Sequence, residues 1–174
     1  VVNSIAGLKG GARSVNVAVM GLGERCGIAD LATVVENLES LYGAETSVDF
    51  KRLPELYAYV SAVTEMTIPP SMPVMGLYAR THKAGTHQKA VLNDPETYET
   101  INWSKYGLER EYEFGAMQSK KLVYRLMEGH EVSDDLKERV VDCIRKVSMG
   151  KGRPLRRPEV SYLIELETGV RVFS

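Results

Sequence analysis

Residues 15–27, which read Val-Asn-Val-Ala-Val-Met-Gly-Leu-Gly-Glu-Arg-Cys-Gly, decide the fold class. Their first half is short, β-branched and apolar, which is typical of a strand covered on both faces in a parallel sheet. Their second half is a glycine-rich turn, and the apolar residues after it recur at helical spacing up to Gly43. Residues 1–9 indicate the second half of a preceding helix. The sequence therefore predicts helix, strand, turn and helix, an α/β unit too small to form a sheet of its own.

The remainder of the chain is predicted to be mostly helical. Apolar residues on one face predict a helix over 53–63, and the proline-rich segment 68–73 is predicted to be an extended connector. Further helices are predicted over a short stretch that ends near Leu92 and over residues 119–128, 134–148 and 159–166. Ser133 is the expected N-cap of the helix at 134–148. We therefore expect an α/β piece, a linker and a largely helical C-terminal part.

The composition excludes several classes of protein. The chain has 174 residues, of which 44% are hydrophobic and 26% charged, as is ordinary for a globular domain. Its net charge of −1 gives no general attraction to nucleic acid, and no apolar stretch approaches the roughly 20 residues that span a bilayer. The first residues lack the basic and apolar pattern of a secretory leader, so we do not expect export, and the two cysteines do not make a disulfide framework. We therefore expect a cytoplasmic protein with neither nucleic-acid nor membrane partners.

The glycines of the turn, Gly21, Gly23 and Gly27, allow two interpretations. They follow a predicted strand and precede a predicted helix, as a dinucleotide-binding loop does, but their spacing is one residue too long and the expected acidic partner is absent. A tight turn in which Glu24 and Arg25 pair is therefore favoured. Charged residues at the carboxyl end of a parallel strand also occupy the position where α/β barrels place their active sites.

Two histidines and a tyrosine are the candidate chemical groups. His82 and His87 lack the spacing that places two metal ligands on one helical face, and no third ligand follows them closely. An exposed loop position is the ordinary alternative for each histidine. Tyr98 lies beyond the predicted turn at residues 93–95, which would fold it back towards His87. A histidine and a tyrosine brought together in this way form a candidate proton-transfer pair.

A basic cluster lies near the C-terminus and comprises Lys151, Arg153, Arg156 and Arg157. No aromatic residues interleave with it, and the surrounding chain is neutral. A solvated surface loop is therefore the favoured interpretation, and a site for RNA or for the phosphates of CoA is the alternative.

Two long motifs occur in this sequence in a fixed order. The first is residues 17–28, which read V-A-V-M-G-L-G-E-R-C-G-I. The second is residues 81–90, T-H-K-A-G-T-H-Q-K-A, continued by D-P-E-T-Y-E at 94–99 and by the G-x-x-R of 107–110. Together they resemble the two signature motifs of the isopropylmalate and homocitrate synthase family. The residues of the second motif are similar to those of the homocitrate branch. The resemblance extends from residue 1 to about residue 130.

The resemblance implies that residues 1–42 are the last helix, strand and helix of a TIM barrel. Residues 43–80 would be a linker subdomain, and residues 81–174 a helical subdomain. The family holds a divalent metal (zinc, manganese or magnesium) through an Asp after the first barrel strand and an H-x-H motif on the seventh, and the part of the barrel that the resemblance identifies in this sequence includes neither position. We therefore expect the chain itself to bind no metal, and to be either a fragment or the C-terminal, omega-type subunit of a split synthase.

The reaction that the resemblance implies is a Claisen-type condensation of acetyl-CoA with 2-oxoglutarate, followed by hydrolysis of the thioester by water, which yields homocitrate and CoA. The family assigns His87 and Tyr98 to the proton relay, together with a glutamate of the barrel. They would serve the partner's site in a homo- or hetero-oligomer with swapped subdomains. Glu24, Arg25 and His82 would contact substrate or line the mouth of the site. The alternatives are the equivalent part of an isopropylmalate or citramalate synthase, and a non-catalytic interaction or regulatory subunit.

Overall fold

The structure is a computed structural model that describes residues 1–172. The chain forms two compact units. Unit 1 comprises Val1–Arg80 and the returning segment Ile101–Glu109, and unit 2 comprises Thr81–Thr100 and the chain from Arg110 onwards. Each unit has its own hydrophobic core. Within residues 1–172, no helix has both the length and the apolar character needed to cross a membrane.

Unit 1 is built from helices. They are α1 (Val2–Lys9), α2 (Leu31–Tyr42) and α3 (Leu53–Thr64). Asp30 caps α2 by accepting a hydrogen bond from the Thr33 N–H, and Gly43, the predicted stop, ends it in the left-handed conformation. The core of the unit consists of Ala32, Val35, Phe50, Leu53, Tyr57, Val74, Trp103 and Tyr106. The returning segment therefore contributes two of the largest side chains of this core.

The strand predicted at residues 15–20 does not form. Its backbone makes one parallel bridge, between Ala18 and Asp30, and then enters a short 3₁₀ turn at Val19–Gly21. A parallel strand buried on both faces needs neighbouring strands to satisfy its backbone, and the described residues of unit 1 provide none. The α/β unit expected at residues 1–42 is therefore a pair of helices joined by an irregular turn.

Unit 2 combines helices with a small parallel sheet. Strand β1 (Thr81–His82) pairs with β2 (Glu111–Tyr112), with Thr81 opposite Glu111. The helices are α4 (Gly85–Asn93), α5 (Lys120–Leu126), α6 (Asp134–Lys151) and α7 (Arg157–Thr168). The buried core of the unit consists of Phe114, Leu122, Val123, Met127, Val140, Val141, Ile144, Leu155, Val160, Leu163 and Ile164. The described part of the chain is thus mainly helical and contains one two-stranded sheet.

The helices predicted for unit 2 are confirmed, with shifted ends. Ser133 caps α6 as predicted by accepting a hydrogen bond from the Leu136 N–H. Val140 and Ile144, which the periodicity placed on the inner face of α6, are fully buried. Helix α7 begins earlier than predicted, at Arg157. The helical periodicity of the sequence therefore identified the elements that form the core of this unit.

Candidate functional site

His87 and Tyr98 lie against each other in unit 2. Their rings stack with centroids 3.9 Å apart and planes 20° from parallel. The turn between them is capped by Asp94, which accepts a hydrogen bond from the Glu96 N–H, and the 3₁₀ turn Pro95–Thr97 delivers the chain to Tyr98. Tyr98 is 48% exposed and His87 is also exposed, so the pair is open to a ligand. The structure therefore brings together the two residues that the sequence paired.

Gln88 fixes the helix that carries His87. Its side chain is fully buried, and its amide nitrogen donates hydrogen bonds to the carbonyl oxygens of His82 (3.0 Å) and Glu113 (2.8 Å). Its amide oxygen accepts a hydrogen bond of 2.8 Å from the Ser119 N–H. Three directed bonds in a buried place leave the side chain a single arrangement. Helix α4 therefore has a defined position in unit 2.

The structure explains why a glycine occupies position 85 in the second motif. A Cβ atom at this position would lie 2.7 Å from the carbonyl oxygen of Met117, so a larger residue would push α4 away from that backbone. The glycine thus permits the close packing at the start of the helix.

Glu99, the residue after Tyr98, forms an enclosed ionic cluster. Arg110 donates to both of its carboxylate oxygens, from Nε to Oε1 (2.9 Å) and from Nη2 to Oε2 (2.8 Å), and His82 Nε2 lies 2.8 Å from Oε1. Burial alone would raise the pKa of Glu99, but the hydrogen bonds from Arg110 and His82 and the Arg110 charge outweigh it and lower that pKa. Glu99 is therefore ionised at neutral pH.

His82 is the buried partner of Glu99, and its ring is almost enclosed. Its assignment to the mouth of an active site stays a prediction. Sequence reasoning assigned no role to Glu99 or Arg110, although both belong to the quoted motifs. The sequence showed that Glu99 and Arg110 carry opposite charges, but two residues 11 positions apart in a region without predicted regular structure gave no reason to expect an ion pair. The parallel pairing of β1 and β2 places Arg110, which directly precedes β2, near His82 at the end of β1, and Glu99 binds both side chains.

Glu24 and Arg25 lie exposed in the glycine-rich turn of unit 1. This turn closes on itself, because the Ile28 N–H donates a 3.0 Å hydrogen bond to the Gly21 carbonyl oxygen. A Cβ atom at Gly27 would lie 1.9 Å from that same oxygen. The glycines therefore serve the turn itself, in agreement with the favoured interpretation. Among the described residues no ion pair joins Glu24 to Arg25, so that part of the interpretation was wrong. Their role at the mouth of a site stays a prediction.

The basic cluster is largely paired within unit 2. Lys151 and Arg153 form ion pairs with Glu159, at 2.5 and 2.8 Å, and Arg157 pairs with Glu111 at 3.0 Å. The hydrogen bonds from Arg153 are the main cause that holds the pKa of Glu159 well below its usual range. These contacts favour a surface loop over a site for phosphates.

The described residues do not fit a divalent metal. No group of three or more His, Cys, Asp or Glu side chains within residues 1–172 is placed to hold one. The two histidines of the motif are otherwise engaged, because His82 binds Glu99 and His87 stacks on Tyr98.

Comparison with known proteins decides the family. A family model described as homocitrate synthase post-HMGL domain-like matches residues 74–147, and one described as HMGL-like matches residues 1–60. The chain belongs to the isopropylmalate and homocitrate synthase family. The first of these models covers the stacked pair and the Glu99 cluster, and the second associates residues 1–60 with a TIM-barrel domain.

Several members of the synthase family resemble the chain over most of its length. Homocitrate synthase 1 of a Nostoc species is 35% identical over 165 residues, which are 94% of this chain and 44% of that protein. For 2-isopropylmalate synthase 2 of Caldanaerobacter subterraneus the identity is 33% over 165 residues, 94% of this chain and 43% of that protein. The homocitrate synthase of Sulfolobus acidocaldarius is 42% identical over 112 residues, 64% of this chain and 24% of that protein. The chain therefore spans less than half the length of these relatives.

Proposed function

We propose that the chain supplies the His87–Tyr98 pair to a synthase that condenses acetyl-CoA with a 2-oxoacid, with 2-oxoglutarate as the first candidate. The stacking of the two rings at an exposed position carries this proposal. The membership in the synthase family supports it, because its named relatives form homocitrate or 2-isopropylmalate.

The chemistry of the pair suits the difficult step of such a condensation. The methyl group of acetyl-CoA is a weak acid, so carbanion formation needs groups that accept and donate protons close to it. An imidazole and a phenol both accept and donate protons, and the stack holds them at one place on the surface of unit 2. His87 and Tyr98 would together carry the proton away from the methyl carbon, which then bonds to the keto carbon, and would help to return a proton to the keto oxygen, which becomes the hydroxyl group of the product.

The rest of the active site would come from a barrel portion, on the same chain or on a second subunit. We place the divalent metal of the complete enzyme (zinc, manganese or magnesium) in that portion, because the described residues do not fit it. The metal would polarise the keto group of the 2-oxoacid when bound. The complete enzyme would be a cytoplasmic homo- or hetero-oligomer with swapped subdomains, in which His87 serves the partner's site.

Substitution of the two rings in the complete enzyme tests this function. We expect His87→Ala and Tyr98→Phe to lower kcat for CoA release by roughly 10²–10⁴, with little change in KM for the 2-oxoacid. His130→Ala and Tyr162→Phe are matched controls, because both residues are exposed in the same unit. Near-native kcat in both test variants would refute the proton relay and favour a non-catalytic interaction or regulatory subunit.

A second 2-oxoacid is a specific alternative to 2-oxoglutarate. The 2-isopropylmalate synthase and the Nostoc homocitrate synthase each match 94% of the chain, at 33% and 35% identity, so similarity does not separate the substrates. Removing the acetyl unit from isopropylmalate leaves 2-oxoisovalerate, and removing it from citramalate leaves pyruvate. Comparing kcat/KM for 2-oxoglutarate, 2-oxoisovalerate and pyruvate identifies the substrate. A clear preference for either of the last two would replace the homocitrate assignment.

A further inference from the structure

Glu99 ties together the two points at which the chain leaves and re-enters unit 2. It follows Tyr98 directly, and its partner Arg110 is the first residue of unit 2 after the segment Ile101–Glu109. We propose that Glu99 is a positioning residue that holds the Tyr98 ring against His87. This inference rests on the proposed function of the stacked pair.

The partners of Glu99 are built on the small sheet. His82 is the last residue of β1, and Arg110 directly precedes β2, so the carboxylate bridges the two paired strands. Helix α4 begins shortly after β1 and carries His87. The same strand therefore sets the position of both rings: that of His87 through α4, and that of Tyr98 through its neighbour Glu99.

The rings are far less enclosed than the carboxylate. Tyr98 is 48% exposed, whereas the side chain of Glu99 is only 6% exposed. A bidentate pair between a carboxylate and a guanidinium has a defined geometry, whereas an exposed aromatic ring has several staggered rotamers open to it. The place of Tyr98 therefore depends on the fixed position of Glu99 as well as on the stack itself.

Two substitutions separate the contribution of charge in the Glu99–Arg110 pair from that of its bidentate geometry. Glu99→Gln keeps the size of the side chain but replaces one acceptor oxygen by a donor, which faces the Arg110 guanidinium or the His82 ring. Arg110→Lys keeps the positive charge but loses the two-pronged geometry. We expect Glu99→Gln to let the Tyr98 ring move away from His87, and Arg110→Lys to weaken the stacking of the two rings only in part.

Ring-current shifts in the NMR spectrum of the full chain test this role. The imidazole protons of His87 should resonate upfield of their position in Tyr98→Leu, which lacks the stacked ring. His87→Ala identifies the signals among the three histidines. We expect Glu99→Gln to lose most of this shift and Arg110→Lys to lose part of it. Glu138→Gln, which breaks the exposed ion pair with Lys120 in the same unit, should retain it.

The outcomes separate this role from the proposed function. A full shift in folded Glu99→Gln would overturn the positioning role, and if that variant does not fold, an unreduced shift in Arg110→Lys would do the same. In the complete enzyme we expect folded Glu99→Gln to lower kcat about tenfold with KM unchanged, the cost of a misplaced catalytic ring. Tyr98→Phe keeps the ring and hence the shift, so normal turnover in that variant would refute the proton relay alone.

Discussion

The hydroxyl group of Tyr106 donates a 2.5 Å hydrogen bond to Oε2 of Glu36, which lies 70 positions away in the chain. Both residues are buried in unit 1, and Lys105 Nζ lies 3.3 Å from the same oxygen. Burial would raise the pKa of Glu36, but the hydrogen bonds from Ser40 and Tyr106 and the Lys105 charge outweigh it and lower that pKa. The returning segment of unit 1 is therefore anchored on helix α2 by an ionised and well-satisfied carboxylate.

Removing this hydrogen bond should destabilise unit 1. Tyr106→Phe leaves the buried Glu36 carboxylate without one of its donors, which should lower the free energy of unfolding by about 1–3 kcal/mol. Trp103 is the only tryptophan of the chain and belongs to the same core, so its fluorescence in urea reports the unfolding of this unit. Tyr59→Phe, at a position that is 66% exposed, is the control and should change stability by less than about 0.5 kcal/mol. Equal unfolding curves for the two variants would contradict the expected anchor.

Acid should weaken unit 1 through the same carboxylate. The pKa of Glu36 in the folded chain lies below its ordinary value of 4.5, so ionised Glu36 stabilises the fold above pH 4.5. This contribution is lost as the pH falls through the lowered pKa. Glu36→Gln should be less stable than the wild type at pH 7 and should lose less stability on acidification. The urea midpoint of Trp103 fluorescence between pH 7 and pH 3 measures both effects, with exposed Glu45→Gln as the control. Parallel pH profiles for wild type and Glu36→Gln would exclude this role of the carboxylate.

The helices and the ring pair were predictable because their signals are local. The buried face of α6 follows from apolar residues at helical spacing, as at Val140 and Ile144. The approach of Tyr98 to His87 follows from a short turn whose residues strongly favour that conformation. In both cases the interacting residues are close enough in sequence for the backbone geometry to decide their contact.

The remaining features depend on contacts between distant residues. Strands β1 and β2 have two residues each, too few to show a period in the sequence. The return of Trp103 and Tyr106 to the core of unit 1 likewise depends on tertiary contacts with residues that are distant in the sequence. The apolar run at 15–20 has the pattern of a barrel strand, but the pattern does not supply the neighbours that such a strand needs. Local sequence therefore predicted the elements better than it predicted their pairing.

The glycine-rich turn of unit 1 should not tolerate a side chain at Gly27. Gly27→Ala would place a Cβ atom 1.9 Å from the Gly21 carbonyl oxygen, at a φ of +77° that alanine rarely adopts. We expect the free energy of unfolding of unit 1 to fall by at least about 2 kcal/mol. Trp103 fluorescence measures this change. Gly7→Ala in helix α1 is the control, because its added Cβ atom would meet nothing within 4 Å apart from the neighbouring backbone of its own helix, and it should be neutral or stabilising. Wild-type stability in Gly27→Ala would show that the turn has another conformation.

The purified chain should hold no stoichiometric metal. The described residues offer no group of three ligands, and the sequence contains no H-x-H motif. Elemental analysis after dialysis against a metal-free buffer should find well under one zinc or manganese per chain. Tight retention of about one equivalent would show that the chain contains a ligand set of its own, and loss of that metal in His82→Ala or His87→Ala would locate it.

Gln88 should be the least replaceable polar residue of helix α4. Its amide group donates to the carbonyl oxygens of His82 and Glu113 and accepts from the Ser119 N–H, all in a fully buried place. Gln88→Met leaves these backbone groups without partners, and we expect unit 2 to lose about 2–4 kcal/mol of stability. Gln88→Glu should be worse at pH 7, because a carboxylate oxygen would then face two carbonyl oxygens, and lowering the pH should restore part of the loss by returning a donor to that position.

Thermal unfolding followed by circular dichroism measures these changes, with Lys89→Gln on the exposed side of α4 as the matched control. Because α4 carries His87, the Gln88 variants should also lose the ring-current shift of the stacked pair, whereas Lys89→Gln should keep it. If Gln88→Glu is as stable at pH 7 as the wild type, the amide nitrogen does not donate to the two carbonyl oxygens, and the position of α4 must be fixed by its apolar contacts alone.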